Sequence, residues 1–260
     1  MGSIPVGATF YFFTYLSSMF RIILFLLFLF TLNGFAQPLI LISKDKQGEI
    51  SAWIKEKHPN VQAVECYGLT KDSLNYYLQK ANALILGGGE DIHPARYGKE
   101  NRIALCGKID VYRDSLEFFL LDFAVQKKLP TMGICRGMQL LNVYFGGDLM
   151  VDLPTDHPSN INHSQFGKKE VHMVKQIAKK SAVFEAMQTK ECLVNSSHHQ
   201  AIGKLNSKFN PVARSSDGLF EAIEYKNLTQ WFAFGIQWHP ERLHNSYSEK
   251  LMDGFLSKIQ

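Results

Sequence analysis

Twice between residues 83 and 137 a short apolar run stops at a glycine-rich turn. Ala83–Leu86 (ALIL) leads into Gly87-Gly88-Gly89, and residues 130–134 (PTMGI) lead into Cys135-Arg136-Gly137. Apolar runs this short, ended by glycine, read as buried strands. Two more strand candidates, 38–42 and 61–66, lie upstream, with helical patterns over Glu49–Lys57 and 72–80. The clearest helix spans 109–127, where Val111, Leu116, Phe119, Leu120 and Phe123 mark an apolar face, and another follows over 136–145. Strands alternating with helices imply a mostly parallel sheet flanked by helices on both faces, with ligands gathering at the carboxyl ends of its strands.

The second half changes character. Residues 171–177, 192–195, 212–215, 219–225 and 231–238 are strand candidates, Asp217-Gly218 is a hairpin signal, and 246–259 reads as a closing amphipathic helix. This predicts an added antiparallel portion. With no internal repeat and no Pro/Gly/Ser-rich linker, 37–260 reads as one domain.

Residues 1–36 stand apart, holding one charged side chain, Arg21, and eight of the nineteen phenylalanines. Arg21, the apolar run 22–32 and Gly34-Phe35-Ala36 before Gln37 have the order of a secretory signal peptide, with Met19 as an alternative start. An uncleaved anchor that also used the apolar stretch 10–20 would bury Arg21 in hydrocarbon at roughly 2.5–3.5 kcal/mol. The expectation is therefore an exported chain, periplasmic or secreted, that meets the membrane only through this segment. A tethered form is the alternative. Four cysteines in 260 residues exclude a disulfide-built fold, and no CxxC or Cys/His cluster suggests structural zinc. The net charge of +4 is spread without a run of five like charges, so no nucleic-acid partner is expected.

The sharpest chemical feature is Gly133-Ile134-Cys135-Arg136-Gly137, a G-x-nucleophile-x-G elbow between a strand and a helix. Such a turn holds its nucleophile out at the strand tip, and the helix start favours a thiolate. The Arg136 N–H is then a natural oxyanion donor. The competing reading is a small buried hydrophobe, which is the expectation for Cys66 and Cys192; Cys106 also lacks such a setting. His239 ends an apolar strand candidate, and strand periodicity puts Glu241 on its side with Pro240 stiffening the link. That pair suits a base and its orienter, or an interfacial histidine beside a solvated glutamate. Gly87-Gly88-Gly89 could offer N–H groups to an oxyanion, or be a plain turn. The cluster 195–200 (NSSHHQ) reads as substrate-binding or as a polar loop. A metal site is disfavoured there, because adjacent histidines on an extended chain point opposite ways. Asp110, Arg113, Asp114 and Glu117 share a helix face, read here as charge-paired and solvated.

Taken together, these segments resemble the class I glutamine amidotransferase-like superfamily and, within it, the γ-glutamyl hydrolases of peptidase family C26, the γ-glutamyl-γ-aminobutyrate hydrolase group. The matching residues are Gly88-Gly89-Glu90-Asp91-Ile92-His93-Pro94 with Tyr97-Gly98, Arg113-Asp114, 130–147, 194–202, Ser216-Asp217-Gly218 with Glu221-Ala222, and 234–241 (FGIQWHPE). The resemblance implies a flavodoxin-like core and a triad of Cys135 as nucleophile, His239 as base and then acid, and Glu241 as orienter. It further implies oxyanion donors at Gly88, Gly89 and Arg136, and substrate contacts from Gln139, Ser197 and His198, with no metal or cofactor. The stretch 44–80 departs from the group, lacking its usual tyrosine-bearing helix that ends in Gly-Gly-x-Pro.

The activity expected is hydrolysis of a small γ-glutamyl amide or peptide through a thioester. The rivals are a glutaminase subunit feeding ammonia to a synthetase and a non-catalytic γ-glutamyl-binding protein.

Overall fold

In the strand run Leu39–Ile42 (β1), alternate side chains enter two different cores. Ile40 and Ile42 go to one face, Leu41 and Leu39 to the other, and all four are buried. Ala83–Leu86 (β3) and Thr131–Ile134 (β4) are likewise buried along their whole length. A strand buried on both faces needs no polar alternation, which is why these runs are continuously apolar.

The computed structural model describes residues 37–167 and 171–259. The signal-segment reading lies outside the described residues. Within them, no helix is long and apolar enough to cross a membrane.

Residues from Pro38 onward form one compact unit. Its main sheet has nine strands in the order β2-β1-β3-β4-β11-β10-β9-β6-β7. The additional strands are Gln62–Glu65 (β2), His172–Gln176 (β6), Glu191–Val194 (β7), Phe209–Ser215 (β9), Phe220–Tyr225 (β10) and Ala233–Ile236 (β11). Pairing is parallel from β2 through β11 and antiparallel from β11 through β7. Leu149–Met150 (β5) and Ala201–Ile202 (β8) form a separate small ribbon.

Helices cover both faces, as the alternation implied. Glu49–Lys57 (α1) packs Trp53 and Ile54 into one core, with Phe184 and Phe255 from helices farther along the chain. On the other face, Lys71–Leu78 (α2) contributes Leu78, Val111–Lys127 (α3) contributes Leu116, Leu120 and Leu121, and Arg136–Tyr144 (α4) contributes Met138 and Leu141. The helix α3 starts two residues later than its apolar pattern suggested, because the Asp110 carboxylate caps it by accepting from the Arg113 N–H at 2.9 Å. The remaining helices are Leu153–Asp156 (α5), Ala182–Met187 (α6) and Ser246–Leu256 (α7). Of these, α5 and α6 went unread in the sequence, and α6 is the longer. It is six residues long, starts at the Ser181 cap and is held by burial of Val183, Phe184 and Met187 rather than by a long periodic pattern.

Two glycines set how closely the layers approach. A Cβ on Gly133 would meet the Gly137 carbonyl carbon at 2.5 Å, and one on Gly137 would overlap the Leu86 carbonyl oxygen of β3. Gly137→Ala is therefore expected to push α4 off the sheet and lower stability by about 1–3 kcal/mol. Urea melts of the two proteins check this, and an unchanged midpoint would contradict the packing described.

Candidate active site

Three neighbouring parallel strands, β3, β4 and β11, deliver the candidate residues at their carboxyl ends. Adjacent strands lie about 4.8 Å apart, so the chain segments leaving their tips share one small region. Gly87-Gly88-Gly89 leaves β3, Cys135 leaves β4, and His239 follows β11 by three residues.

Cys135 has φ +51° and ψ −104°, a backbone conformation that L-residues rarely adopt. It is held there by its own N–H, which donates to the Ile236 carbonyl at 2.8 Å, and by its carbonyl, which accepts from Met138 and Gln139 as α4 begins. The turn places Cys135, 5% exposed, at the edge of a cavity of about 310 Å³. This is the strained elbow that the pentapeptide implied.

His239 Nδ1 lies 2.6 Å from Glu241 Oε1, and both residues are buried. The pair forms differently from the sequence expectation. The strand ends at Ile236, and a single 3₁₀ turn, Pro240–Arg242, brings the carboxylate back under the ring. Burial opposes a charge on His239, but the Glu241 carboxylate and the hydrogen-bonded Cys135 outweigh it and raise its pKa to about 10. The combination favours an imidazolium at His239. Asn195 fixes the backbone of the histidine from both sides: its Oδ1 accepts from the His239 N–H at 2.8 Å and its Nδ2 donates to the His239 carbonyl at 2.7 Å. Asn195 was noted only as part of a polar cluster. Its amide can satisfy one donor and one acceptor at once, a clue that the residue type carries but that its position does not reveal.

Gly88 packs directly on the histidine; a Cβ there would stand 2.5 Å from His239 Cε1 and 3.5 Å from Cys135 Cβ. Gly89 has φ +139°, which glycine alone tolerates without strain. Both line the cavity. The carbonyls of Gly87 and Gly88 accept from Arg113 Nη2 at 2.8 and 3.0 Å, so the turn is anchored through its acceptors and the N–H groups of Gly88 and Gly89 are left for a ligand.

The charged face of α3 corrects the sequence reading. Its groups are charge-paired, but they are not solvated. Arg113, Asp114 and Glu117 are at most 1% exposed, as is Arg136 from the elbow. Arg113 Nε donates to Glu117 at 2.8 Å, Arg136 Nη2 to Asp114 at 2.5 Å, and Arg136 Nη1 to the second Glu117 oxygen. Ser43 of the β1 tip donates to Glu117 at 2.7 Å and accepts from the Gly87 N–H at 3.1 Å. Burial and the adjacent Arg113 pull Arg136 down to about 9, against the two carboxylates that hold its charge. At the cavity wall, burial works against ionisation of Glu90, yet Lys44 and Arg113 keep its pKa near 2.

Of the three residues expected to touch substrate, Ser197 lines the cavity. Gln139 lies behind the wall, donating to the Gln200 carbonyl at 2.9 Å and to Gln237 at 3.3 Å. His198 is buried inward while His199 faces Asp91 at 2.9 Å, the opposed directions that an extended chain requires. Burial raises the thiols of Cys66 and Cys192 to about 12, consistent with inert core cysteines. The cavity mouth carries Lys44, Lys46, Lys108 and Arg242 together with Phe166, which is 69% exposed. Lys44 and Lys46 come from the stretch 44–80 in which the sequence departs from its resemblance.

Solved structures of glutamine amidotransferases share this fold. Residues 61–241 match the model of the Peptidase C26 family, and the chain belongs to that family. It is 36% identical over 170 residues to the glutamine amidotransferase-like protein YvdE of Lactococcus lactis, covering 65% of this chain and 70% of that one. It is 30% identical over 200 residues to the γ-glutamyl-γ-aminobutyrate hydrolase PuuD of Escherichia coli K12, covering 72% and 75%. A glutamine amidotransferase from Methylobacillus flagellatus superposes with a TM-score of 0.57 over 86% of this chain and 96% of its own at 14% identity, a likeness of fold.

The raised His239 pKa has a consequence for stability. Its folded value of about 10 exceeds the ordinary 6.5, so the pairing stabilises the fold fully below pH 6.5 and is lost as pH rises through 10. Urea midpoints measured from pH 6 to 10.5 should fall more for the wild type than for His239→Gln. Equal falls would remove the ion pair from this account.

Proposed function

We propose that the protein hydrolyses γ-glutamyl amides through a thioester on Cys135. The observation that carries this is the convergence, in one cavity, of an elbow cysteine with the buried His239–Glu241 pair and the Gly88–Gly89 turn. The Cys135 thiolate adds to the γ-carbonyl carbon, and the resulting oxyanion takes hydrogen bonds from the Arg136, Gly88 and Gly89 N–H groups. As the C–N bond breaks, the His239 imidazolium gives its proton to the departing amine, leaving the thioester. Neutral His239 then takes a proton from water as the oxygen adds to the thioester. Glutamate leaves, and the thiolate–imidazolium pair is restored. Glu241 keeps the imidazole oriented through Nδ1, and Ser197 is positioned to bind the glutamyl group.

The mouth bears on the leaving amine. The acid that lines it among the described residues, Glu90, is held by Lys44 at 2.9 Å and Arg113 at 2.7 Å. The exposed Lys46 and Lys108 have no acidic partner among the described residues. A positive rim favours leaving amines that carry a carboxylate, as the γ-aminobutyrate in the name of the Escherichia coli relative does. The amidotransferase-like name of the Lactococcus relative supports a second reading, release of ammonia from glutamine for a partner.

One panel tests both. Cys135→Ala should lower turnover of γ-glutamyl anilide and γ-glutamyl amino acids at least ~10³-fold. Carboxylate-bearing leaving amines should exceed neutral ones in kcat/KM, with the gap narrowing at high salt. Unchanged turnover by Cys135→Ala defeats the mechanism, and glutamine as the best substrate selects the second reading. For the N-terminal segment the proposal is export with cleavage before Gln37. The intact mass of the exported chain should begin at Gln37, whereas a retained apolar segment means a tether.

A further inference from the structure

Behind the wall that carries Ser197, three side chains from distant parts of the chain meet in a buried cluster. His163 comes from the loop after α5, His172 opens β6 and Glu221 lies on β10; they are 5%, 6% and 0% exposed. His172 Nε2 lies 3.0 Å and His163 Nδ1 3.9 Å from Glu221 Oε1, and one ligand atom from each residue falls within 4.8 Å of the others. Ligands of a tetrahedral ion bonded at about 2.0–2.1 Å stand roughly 3.4 Å apart. The cluster thus needs only a small rearrangement to enclose one, the 3.0 Å His172–Glu221 pair opening slightly and the wider pairs closing.

Two independent observations point to a cation. Glu221 Oε2 is buried without a hydrogen-bond partner among the described residues. A buried carboxylate with one bare oxygen is costly unless a positive charge faces it. Secondly, His163 Nε2 is 3.0 Å from Asp217 Oδ2. Ser215 and Ser159 also donate to the Asp217 carboxylate, at 2.5 and 2.7 Å. With Asp217 accepting from Nε2, Nδ1 of His163 is the acceptor nitrogen; it lies 3.2 Å from Ser196 Oγ, whose hydroxyl would turn away for an ion, and 3.9 Å from Glu221 Oε1. A carboxylate behind a histidine, fixing its tautomer, is the usual outer support of a metal-ligating imidazole. His172 can hold its own proton on Nδ1, freeing Nε2. A cavity of about 440 Å³ lined by His157, His163 and His198, among others, reaches the cluster at His163.

We propose that His163, His172 and Glu221 bind one divalent transition ion, with zinc the best match to a donor set of two imidazoles and one carboxylate. The ion would tie the loop that carries His163 to the antiparallel flank. The His198 ring, whose centroid is 5.0 Å from that of His163, adjoins Ser197, so the ion would also stiffen the cavity wall.

The test uses the full chain stripped with chelator, reloaded with Zn²⁺ and desalted, with bound metal counted by mass spectrometry. About one zinc per chain is expected. His172→Ala and Glu221→Gln should abolish retention, and Asp217→Asn should weaken binding 10–100-fold. Cys135→Ser should retain the full amount. Loading with Co²⁺ should give visible bands without thiolate charge transfer. If His172→Ala does not fold, Asp217→Asn with the cobalt spectrum decides. No retained metal overturns the proposal. Metal lost with Cys135→Ser overturns it too, because the ion then sits on the Cys135–His239 pair. Neither result depends on which amide the enzyme cleaves.

Discussion

The buried knot of Arg113, Arg136, Asp114 and Glu117 is the constraint on which the site depends. Two guanidiniums and two carboxylates share the interior between α3 and α4. Their charges balance, which a low-dielectric environment demands. Deleting any one of them strands a buried charge, a loss of about 3–5 kcal/mol in comparable cases. The knot also has outward arms. Arg113 reaches the Gly87 and Gly88 carbonyls, and Ser43 links Glu117 to the Gly87 N–H. The oxyanion-side turn and the elbow helix are therefore registered to each other through ion pairs rather than through apolar contact alone. Orientation by fixed dipoles of this kind needs little reorganisation during a reaction.

The sheet divides its labour. The parallel half supplies three adjacent strand tips, and so brings the nucleophile, its base and the glycine turn together. The antiparallel half supplies the wall: Asn195 just beyond β7 clamps His239, and Ser197 faces the cavity. Strain is confined to the elbow, where Cys135 sits at positive φ and the neighbouring glycines let strand and helix close on it. Such strain persists only because the packing around it is over-determined.

Much of the fold was legible because it rests on local signals. A buried parallel strand is a short apolar run whatever surrounds it, an elbow is five consecutive residues, and Asp217-Gly218 turns the β9–β10 hairpin by its own backbone preferences. The His239–Glu241 contact was anticipated for a different local reason, since a 3₁₀ turn does what strand alternation was expected to do. The face of α3 was misread because charges at i, i+3, i+4 and i+7 look alike whether water or another helix covers them. The residue that decides is Arg136, which is 22 positions from Asp114 and 19 from Glu117. The basic mouth drew on residues 44, 46, 108 and 242, which no window of sequence joins.

The sequence by itself determined the alternating α/β order, the strained cysteine elbow and the histidine–glutamate pair, because each is set within a few residues by backbone sterics and periodicity. Only the tertiary structure decided which charges are buried, which residues reach the cavity, and that His163, His172 and Glu221 meet at all. Those outcomes depend on strand order and on what lies opposite in space. Burial, which decides whether a charge is a solvated ornament or a structural knot, is a property of the packed chain and not of any segment within it.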